Sequence, residues 1–266
     1  MRYLVRGGAR SAAGGPAAGL LLTEPLRGLA DLAALLAAAP GLLAAPRGVG
    51  HGVLIFPGLL AGDLSTRPLR GFLCWLGYNA RGWDLGRNYG PTEAVLAGLP
   101  RALLRHAERT GRPVSLIGWS LGGIYAREIA RRHPRQVRQV ITLGSPYALT
   151  HPGQSHAHGA YQRLSFRHVP GSKLPSREQR SRPITVPSTS VYSRLDGVVA
   201  WQACVEPETV QHQNVAVRCS HVGFGVDPAT LWLIADRLAR PAGRQGPFRP
   251  PLPLRPLYPR PAQDPR

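Results

Sequence analysis

The sequence VSLIGWSLGG at residues 114–123 places a serine between an apolar run and a segment with helical spacing. Residues 114–117 are mostly apolar, which predicts a buried strand, and the residues after Ser120 predict a helix. Gly118 and Gly122 lie two positions to either side of the serine. A side chain at either position would collide with neighbouring backbone in so tight a turn. This context predicts a nucleophile elbow, a strained turn that exposes the serine hydroxyl, in preference to an ordinary glycine-rich turn.

A serine hydroxyl is a weak nucleophile, so it needs a base, and the base needs an acid that orients it. His221 follows a predicted strand at residues 215–217, in a loop from which an imidazole can reach Ser120. His212 precedes the same strand, at its opposite end, and is expected to lie on the surface. We therefore predict that His221 is the base.

The acid is expected from a carboxylate between the serine and the histidine. Five are present: Glu128, Glu178, Asp196, Glu206 and Glu208. Asp196 ends a predicted strand at residues 189–192 and opens a turn with Gly197, beside the expected histidine loop. A turn-forming Asp-Gly pair is the alternative interpretation. We predict that Asp196 orients His221.

Two backbone amides are expected to bind the negative charge that develops on a substrate carbonyl oxygen. One belongs to Leu121, immediately after the serine. The other is assigned to Leu59, after the predicted strand at residues 53–56, because Pro57 has no N–H group. Three side chains are candidates for the acyl side of the cleft, with core packing as the alternative for the aromatic ones: Leu60, Trp83 and Trp119.

Short apolar runs alternate with helical patterns along most of the chain. The predicted strands are residues 53–56, 114–117, 140–143, 189–192 and 215–217. Helices are predicted to begin near Pro68, near Pro91, at Leu121 and at Pro228. Strands alternating with helices predict an α/β fold, a mostly parallel sheet with helices on both faces.

Three segments lie outside this alternation. Residues 1–48 are expected to form an N-terminal extension and a packing helix, and residues 49–240 the main domain. A long connection at residues 148–187 is predicted to be a lid-like insertion. Residues 241–266 are rich in Pro and Arg, which predicts a disordered tail.

The composition favours a globular core and leaves the partners open. Apolar residues make up 43% of the chain, which excludes wholesale disorder, and 33 basic against 14 acidic residues give a net charge of +19. Such a charge favours anionic partners, although a GC-rich coding sequence produces the same arginine excess. The chain lacks a basic helix or aromatic platform typical of nucleic-acid binding, so no specific nucleic acid is expected.

Histidines and cysteines are the side chains that could bind a metal or form a disulfide. His151, His156 and His158 lie close together, but no neighbouring carboxylate or cysteine completes a ligand set, so no metal is expected. Cys204 and Cys219 flank the Asp196 and His221 loops, so either two thiols or, in an oxidising compartment, a disulfide is possible. Cys74 is expected in the core.

The longest Leu/Ala run, residues 32–39, is too short to span a bilayer. Residues 11–19 lack the continuous apolar run of a secretory signal. A cytoplasmic protein is expected, with export as the alternative because residues 20–22 are all leucine.

Five motifs together resemble the α/β-hydrolase superfamily, over about residues 50–240. They are FPG at 56–58, GWSLGG at 118–123, LGSP at 143–146, DGVV at 196–199 and SHVG at 220–223. Within the superfamily the chain resembles bacterial triacylglycerol lipases and esterases. Ser120, Asp196 and His221 match the catalytic triad, although many relatives carry His-Gly where this chain has Pro57-Gly58.

The resemblance implies a serine hydrolase that cleaves carboxylic esters without a cofactor, with a cap segment that shapes the acyl pocket. Its substrate would be a small-molecule or lipid ester, with transient contact at a lipid interface. Thioesterase or acyltransferase activity on the same triad is the enzymatic alternative, and a non-catalytic binder of anionic surfaces is the alternative outside catalysis.

Overall fold

Six parallel strands form a single sheet at the centre of the computed structural model, which describes residues 14–243 and 246–259. The strands are β1 Gly52–Phe56, β2 Asn79–Gly82, β3 Val114–Trp119, β4 Val137–Leu143, β5 Ser188–Ser193 and β6 His212–Val217. Their order across the sheet is β2-β1-β3-β4-β5-β6, and every neighbouring pair is parallel. All carboxyl ends therefore lie along one edge of the sheet.

Helices cover both faces of the sheet. The α-helices are α1 Ala18–Leu42, α2 Arg67–Trp75, α3 Glu93–Thr110, α4 Leu121–Arg132, α5 His158–Arg163, α6 Arg177–Ser181 and α7 Pro228–Ala239. Val53 and Ile55 of β1 pack in the cluster that contains residues of α1, α2 and α7, whereas Leu54 and Phe56 pack with α3 and α4. Successive side chains of a strand point to opposite faces, so one apolar run supplies both cores. The predicted fold class is confirmed.

The sheet departs from the sequence prediction at its amino ends and at one edge. Strand β2 was not predicted, because Asn79–Gly82 carries no apolar run. His212 was expected on the surface but is buried. It pairs with Ser188 at the start of β6, and its Nε2 lies 2.9 Å from the Ile184 carbonyl oxygen. Cys74 was expected in the core but is exposed on α2.

Each segment outside the sheet contacts the domain where the structure describes it. Helix α1 packs against α7 and against the 3₁₀ turn Val222–Gly225. The connection between β4 and β5 contains the short helices α5 and α6. Residues 1–13 of the expected extension and residues 260–266 of the tail lie outside the described residues.

The described part of the Pro- and Arg-rich tail includes two aromatic side chains that contact the domain. Phe248 and Tyr258 pack against the core cluster, and the Tyr258 hydroxyl donates to the Ala229 carbonyl oxygen at 2.7 Å. These aromatic side chains bury apolar area against α7, at either side of the 3₁₀-helix Leu252–Leu257. Among the described residues, no helix is long and apolar enough to cross a membrane.

A buried ion pair joins α4, the helix after Ser120, to the connection between β5 and β6. The Arg127 guanidinium donates to both carboxylate oxygens of Glu206, at 3.0 and 2.8 Å, and lies 4.0 Å from the centre of the Tyr147 ring. Burial would raise the pKa of Glu206, but hydrogen bonds and the charge of Arg127, with the Ser188 hydroxyl, hold the pKa below its usual value. Both carboxylate oxygens of Glu206 are therefore satisfied, whereas the buried Arg127 Nε has no hydrogen-bond partner among the described residues.

Breaking this pair should destabilise the fold. Glu206→Gln leaves the Arg127 charge buried without its counter-ion, so the free energy of unfolding should fall by about 3–5 kcal/mol in urea denaturation at pH 7. Glu178→Gln removes the carboxylate of an exposed Arg–Glu pair and should cost less than about 1 kcal/mol. Equal losses in the two variants would contradict a special role for the buried pair.

Candidate active site

Ser120 occupies a sharp turn between β3 and α4. Its backbone has φ 52° and ψ −121°, a conformation that residues other than glycine rarely adopt and that costs about 1–3 kcal/mol. A Cβ at Gly118 would lie 2.3 Å from Gly123 Cα, and one at Gly122 would lie 2.3 Å from the Phe56 carbonyl oxygen. Only glycine fits at either position, so the serine is held in the strand–turn–helix geometry of a nucleophile elbow.

His221 and Asp196 form a buried hydrogen-bonded pair at the ends of β6 and β5. His221 Nδ1 lies 2.7 Å from Asp196 Oδ2, and Asp196 Oδ1 accepts the amides of Val198 and Val199 at 2.8 and 2.7 Å. Burial alone would lower the pKa of His221. The charge and hydrogen bond of Asp196, together with the charge of Glu24, outweigh it and hold that pKa above its usual value.

The structure brings Ser120 and the His221–Asp196 pair to the same edge of the sheet. The Trp119 indole N–H donates to the His221 carbonyl oxygen at 3.0 Å, which ties the residue before Ser120 to the histidine loop. A Cβ at Gly144, where β4 ends, would lie 2.9 Å from Asp196 Oδ2. Among the described residues the Ser120 hydroxyl has no hydrogen-bond partner, so its bond to His221 is not formed here. In unliganded enzymes such contacts are often long.

The loop after β1 passes directly over Ser120. A Cβ at Gly58 would lie 3.2 Å from Ser120 Cβ. The Leu59 amide follows in this loop and the Leu121 amide begins α4, and within the described chain neither has an internal acceptor. Asn88, which the sequence analysis missed, braces the loop. Its side-chain N–H donates to the Pro57 carbonyl oxygen at 2.9 Å, and its backbone carbonyl oxygen accepts the Leu60 amide at 2.7 Å.

The three candidate substrate-contacting side chains have different surroundings. Leu60 is 45% exposed and has φ 61°. Trp83 is fully buried and stacks on Tyr125, so it belongs to the core, which is the alternative left open by the sequence. Trp119 is almost entirely buried and packs against Gly225, so its main contact is with the histidine loop.

The histidines and cysteines take structural positions. His156 Nε2 lies 2.9 Å from the Pro16 carbonyl oxygen, and no group of three His, Cys, Asp or Glu side chains in residues 14–243 and 246–259 is arranged to hold a metal ion. Cys204 and Cys219 are free, buried thiols, and burial raises the pKa of both. The disulfide alternative is therefore not formed.

Two acidic residues of α1 also contact this site, and the sequence analysis missed both. The carboxylate of Glu24 binds the amide of His221, and the carboxylate of Asp31 binds the amide of Ser220. The only signal in the sequence is their spacing of seven residues, which places them on one face of a helix.

No family model matches the chain, and no curated protein matches it. Solved structures match it at low identity. Aspergillus fumigatus lipase B gives a TM-score of 0.52 at 14% identity over 72% of this chain, which spans only 53% of that protein. A match to the metagenome-derived lipolytic enzymes LipS and LipT gives 0.53 at 16% identity, over 73% of this chain and 93% of that one.

A variant of the pyrethroid hydrolase PytH gives a TM-score of 0.50 at 16% identity, over 71% of this chain and 97% of that one. Structural similarity at such low sequence identity establishes the arrangement of strands and helices. The chemistry must be argued from the residues of the site. The parallel sheet, its strand order and these matches agree: the chain has the α/β-hydrolase fold.

Proposed function

We propose that the chain is a serine hydrolase that cleaves carboxylic esters through an acyl-enzyme on Ser120. The observation that carries this proposal is the buried His221–Asp196 hydrogen bond at the sheet edge where Ser120 occupies its strained turn. An imidazole held by a carboxylate, near an alcohol with no internal partner, is the arrangement that activates a serine. The fold supports the proposal, because it presents such groups at the carboxyl ends of its strands.

In the proposed reaction, His221 Nε2 takes the Ser120 proton as the serine oxygen attacks the ester carbonyl carbon. Asp196 stabilises the imidazolium that forms. The amides of Leu59 and Leu121 bind the negative oxygen of the tetrahedral intermediate. Collapse of this intermediate breaks the ester bond, and the departing alcohol takes the proton from His221. Water then gives a proton to His221 and attacks the acyl carbon. Collapse of this second tetrahedral intermediate breaks the acyl–Ser120 bond and releases the acid, and His221 returns its proton to the Ser120 oxygen.

We propose an apolar acyl group for the substrate, from a lipid or a short-chain ester. Leu60, two residues after Gly58 in the loop over Ser120, is the exposed apolar side chain proposed to contact it. A lipid substrate would add transient contact with a lipid interface. Residues 148–187 are proposed as the lid. They contact the loop that contains Asn88. His168 Nε2 lies 2.9 Å from the Tyr89 carbonyl oxygen, and the Val169 amide donates to the Pro91 carbonyl oxygen at 3.0 Å.

Replacing the nucleophile should abolish turnover without affecting the fold. Ser120→Ala should lower kcat for p-nitrophenyl esters by about six orders of magnitude, because no oxygen remains to form the acyl-enzyme. The variant should also resist labelling by a fluorophosphonate probe, whereas Ser172→Ala, which alters an exposed serine, should react like the parent protein.

Hydrolysis that persists in pure Ser120→Ala protein would reject the proposal. A panel of oxygen esters and thioesters of increasing acyl length, run with and without added alcohol, identifies the acyl acceptor. Faster thioester cleavage would indicate a thioesterase, and transfer to the alcohol would indicate an acyltransferase.

The pH profile should report the His221–Asp196 pair. The imidazole must be neutral to accept the serine proton, so kcat/KM should rise with pH. The raised pKa of His221 places the midpoint of this rise above about 6.5. Asp196→Asn removes the carboxylate, which should lower kcat about 10⁴-fold and move the midpoint to lower pH. A profile that is unchanged in Asp196→Asn would show that another group controls the rate.

A further inference from the structure

A single carboxylate of helix α1 binds both loops that carry the His221–Asp196 pair. Glu24 is 5% exposed, and its Oε1 accepts the amide of Gly197 at 2.7 Å and the amide of His221 at 3.1 Å. Its Oε2 accepts the amide of Val222 at 3.3 Å. The residue after Asp196 and the histidine itself are thus joined through one side chain that lies outside the sheet. Hydrogen bonds from amides to a carboxylate are stronger than those between neutral groups.

Arg27 holds this carboxylate from the other side. Its Nη2 lies 2.8 Å from Glu24 Oε1, and its Nη1 donates to the carbonyl oxygen of Leu195, the residue before Asp196. Arg27 follows Glu24 by three positions, so the two side chains meet on one face of the helix. The backbone on both sides of Asp196 is therefore bound to α1.

Asp31 repeats the arrangement two helical turns further along α1. Its Oδ2 accepts the amide of Ser220 at 2.9 Å and the Ser220 hydroxyl at 2.5 Å. That hydroxyl in turn accepts the amide of Gly223 at 3.0 Å. The histidine loop is bound immediately before and after His221, so α1 fixes its backbone at several points.

Three glycines permit the helix to lie this close to the loops. A Cβ at Gly28 would lie 2.5 Å from Val222 Cγ2, and one at Gly197 would lie 2.4 Å from the Leu20 carbonyl oxygen. A Cβ at Gly223 would lie 1.8 Å from Asp31 Oδ2. Any side chain at these positions would push the helix and the loops apart. The close contact therefore depends on a glycine of the helix and on a glycine of each loop.

We propose that Glu24 is a positioning residue for the hydrolase reaction: it holds the Asp196 and His221 loops at a fixed separation and adds negative charge behind the imidazole. This inference rests on the proposed function of Ser120. Glu24 acts through the backbone of His221 and through its charge, and it takes no part in bond making. Helix α1 is then part of the active-site framework, beyond the packing role predicted from its sequence.

The charged groups around the histidine loop come from three elements. Asp196 approaches from the end of β5, and Glu24, Arg27 and Asp31 from α1. Asp227 precedes α7, and its backbone amide donates to the Gly223 carbonyl oxygen at 2.8 Å. Removing one negative charge beside the imidazole makes its protonated form less favourable.

Glu24→Gln preserves the shape of the side chain and removes its charge. We expect kcat for a p-nitrophenyl ester to fall about 10²-fold, as for a small misplacement of a catalytic group, with KM changing much less. We also expect the midpoint of the kcat/KM rise with pH to move to lower pH, which a merely structural role would not produce. Glu108→Gln, the same change at an exposed residue of α3, should leave both unaltered.

Separate variants test the positioning role of Glu24 and the hydrolase function on which it rests. If Ser120→Ala is inactive while Glu24→Gln keeps the parent kcat and pH profile, the positioning role is wrong and the hydrolase assignment stands. If Ser120→Ala remains active, the hydrolase assignment itself is wrong. Thermal unfolding of each variant separates loss of the fold from loss of positioning.

Arg27→Met tests the same role and should shift the midpoint of the pH profile in the opposite direction. The Arg27 side chain is 23% exposed, so replacing it is less disruptive to the fold than replacing the buried Glu24. Removing the cation leaves the Glu24 charge unbalanced beside His221, so the midpoint of the pH profile should move to higher pH while kcat falls through the lost contact with Leu195. A midpoint that stays in place or moves lower would overturn the proposal, even if Glu24→Gln does not fold.

Discussion

The carboxyl edge of the sheet depends on one charge-assisted hydrogen bond held out of water, between Asp196 and His221. Burying a carboxylate costs several kcal/mol unless donors replace the lost water. The amides of Val198 and Val199 supply such donors at the second carboxylate oxygen. Because Nδ1 of the imidazole is engaged with Asp196, the ring orientation is set and Nε2 is the nitrogen left to receive a proton.

The parallel sheet explains how residues distant in sequence meet at this hydrogen bond. Ser120 follows β3, Gly144 follows β4, Asp196 follows β5 and His221 follows β6, so each is delivered by the end of a different strand. Gly144 has φ 51° and permits the aspartate and the imidazole to approach the backbone between them. Strand pairing therefore brings these residues to one edge of the sheet, and the contacts of their loops with α1 complete the arrangement.

Much of this arrangement is readable from the sequence because buried parallel strands appear as apolar runs and because the turn at Ser120 demands glycines at fixed positions. Strand Asn79–Gly82 escapes prediction because pairing with β1, and not its own side chains, makes it a strand. The contacts of Glu24 and Asp31 cannot be predicted from the sequence for a related reason. Their partners are backbone amides, which every residue except proline carries and which leave no mark in a sequence.

The contacts of α1 with the Asp196 and His221 loops join segments that are far apart in the order of synthesis. Glu24 precedes the amides that it binds by 173 to 198 residues, so the helix is made long before its binding site exists. Closing so large a loop is slow and must await both β5 and β6. Until then the face of α1 that packs against α7 is uncovered, and exposed apolar surface of this kind is what chaperones bind. The hydrogen bonds from α1 to the two loops and the concealment of that apolar surface therefore arrive together, in the same late step.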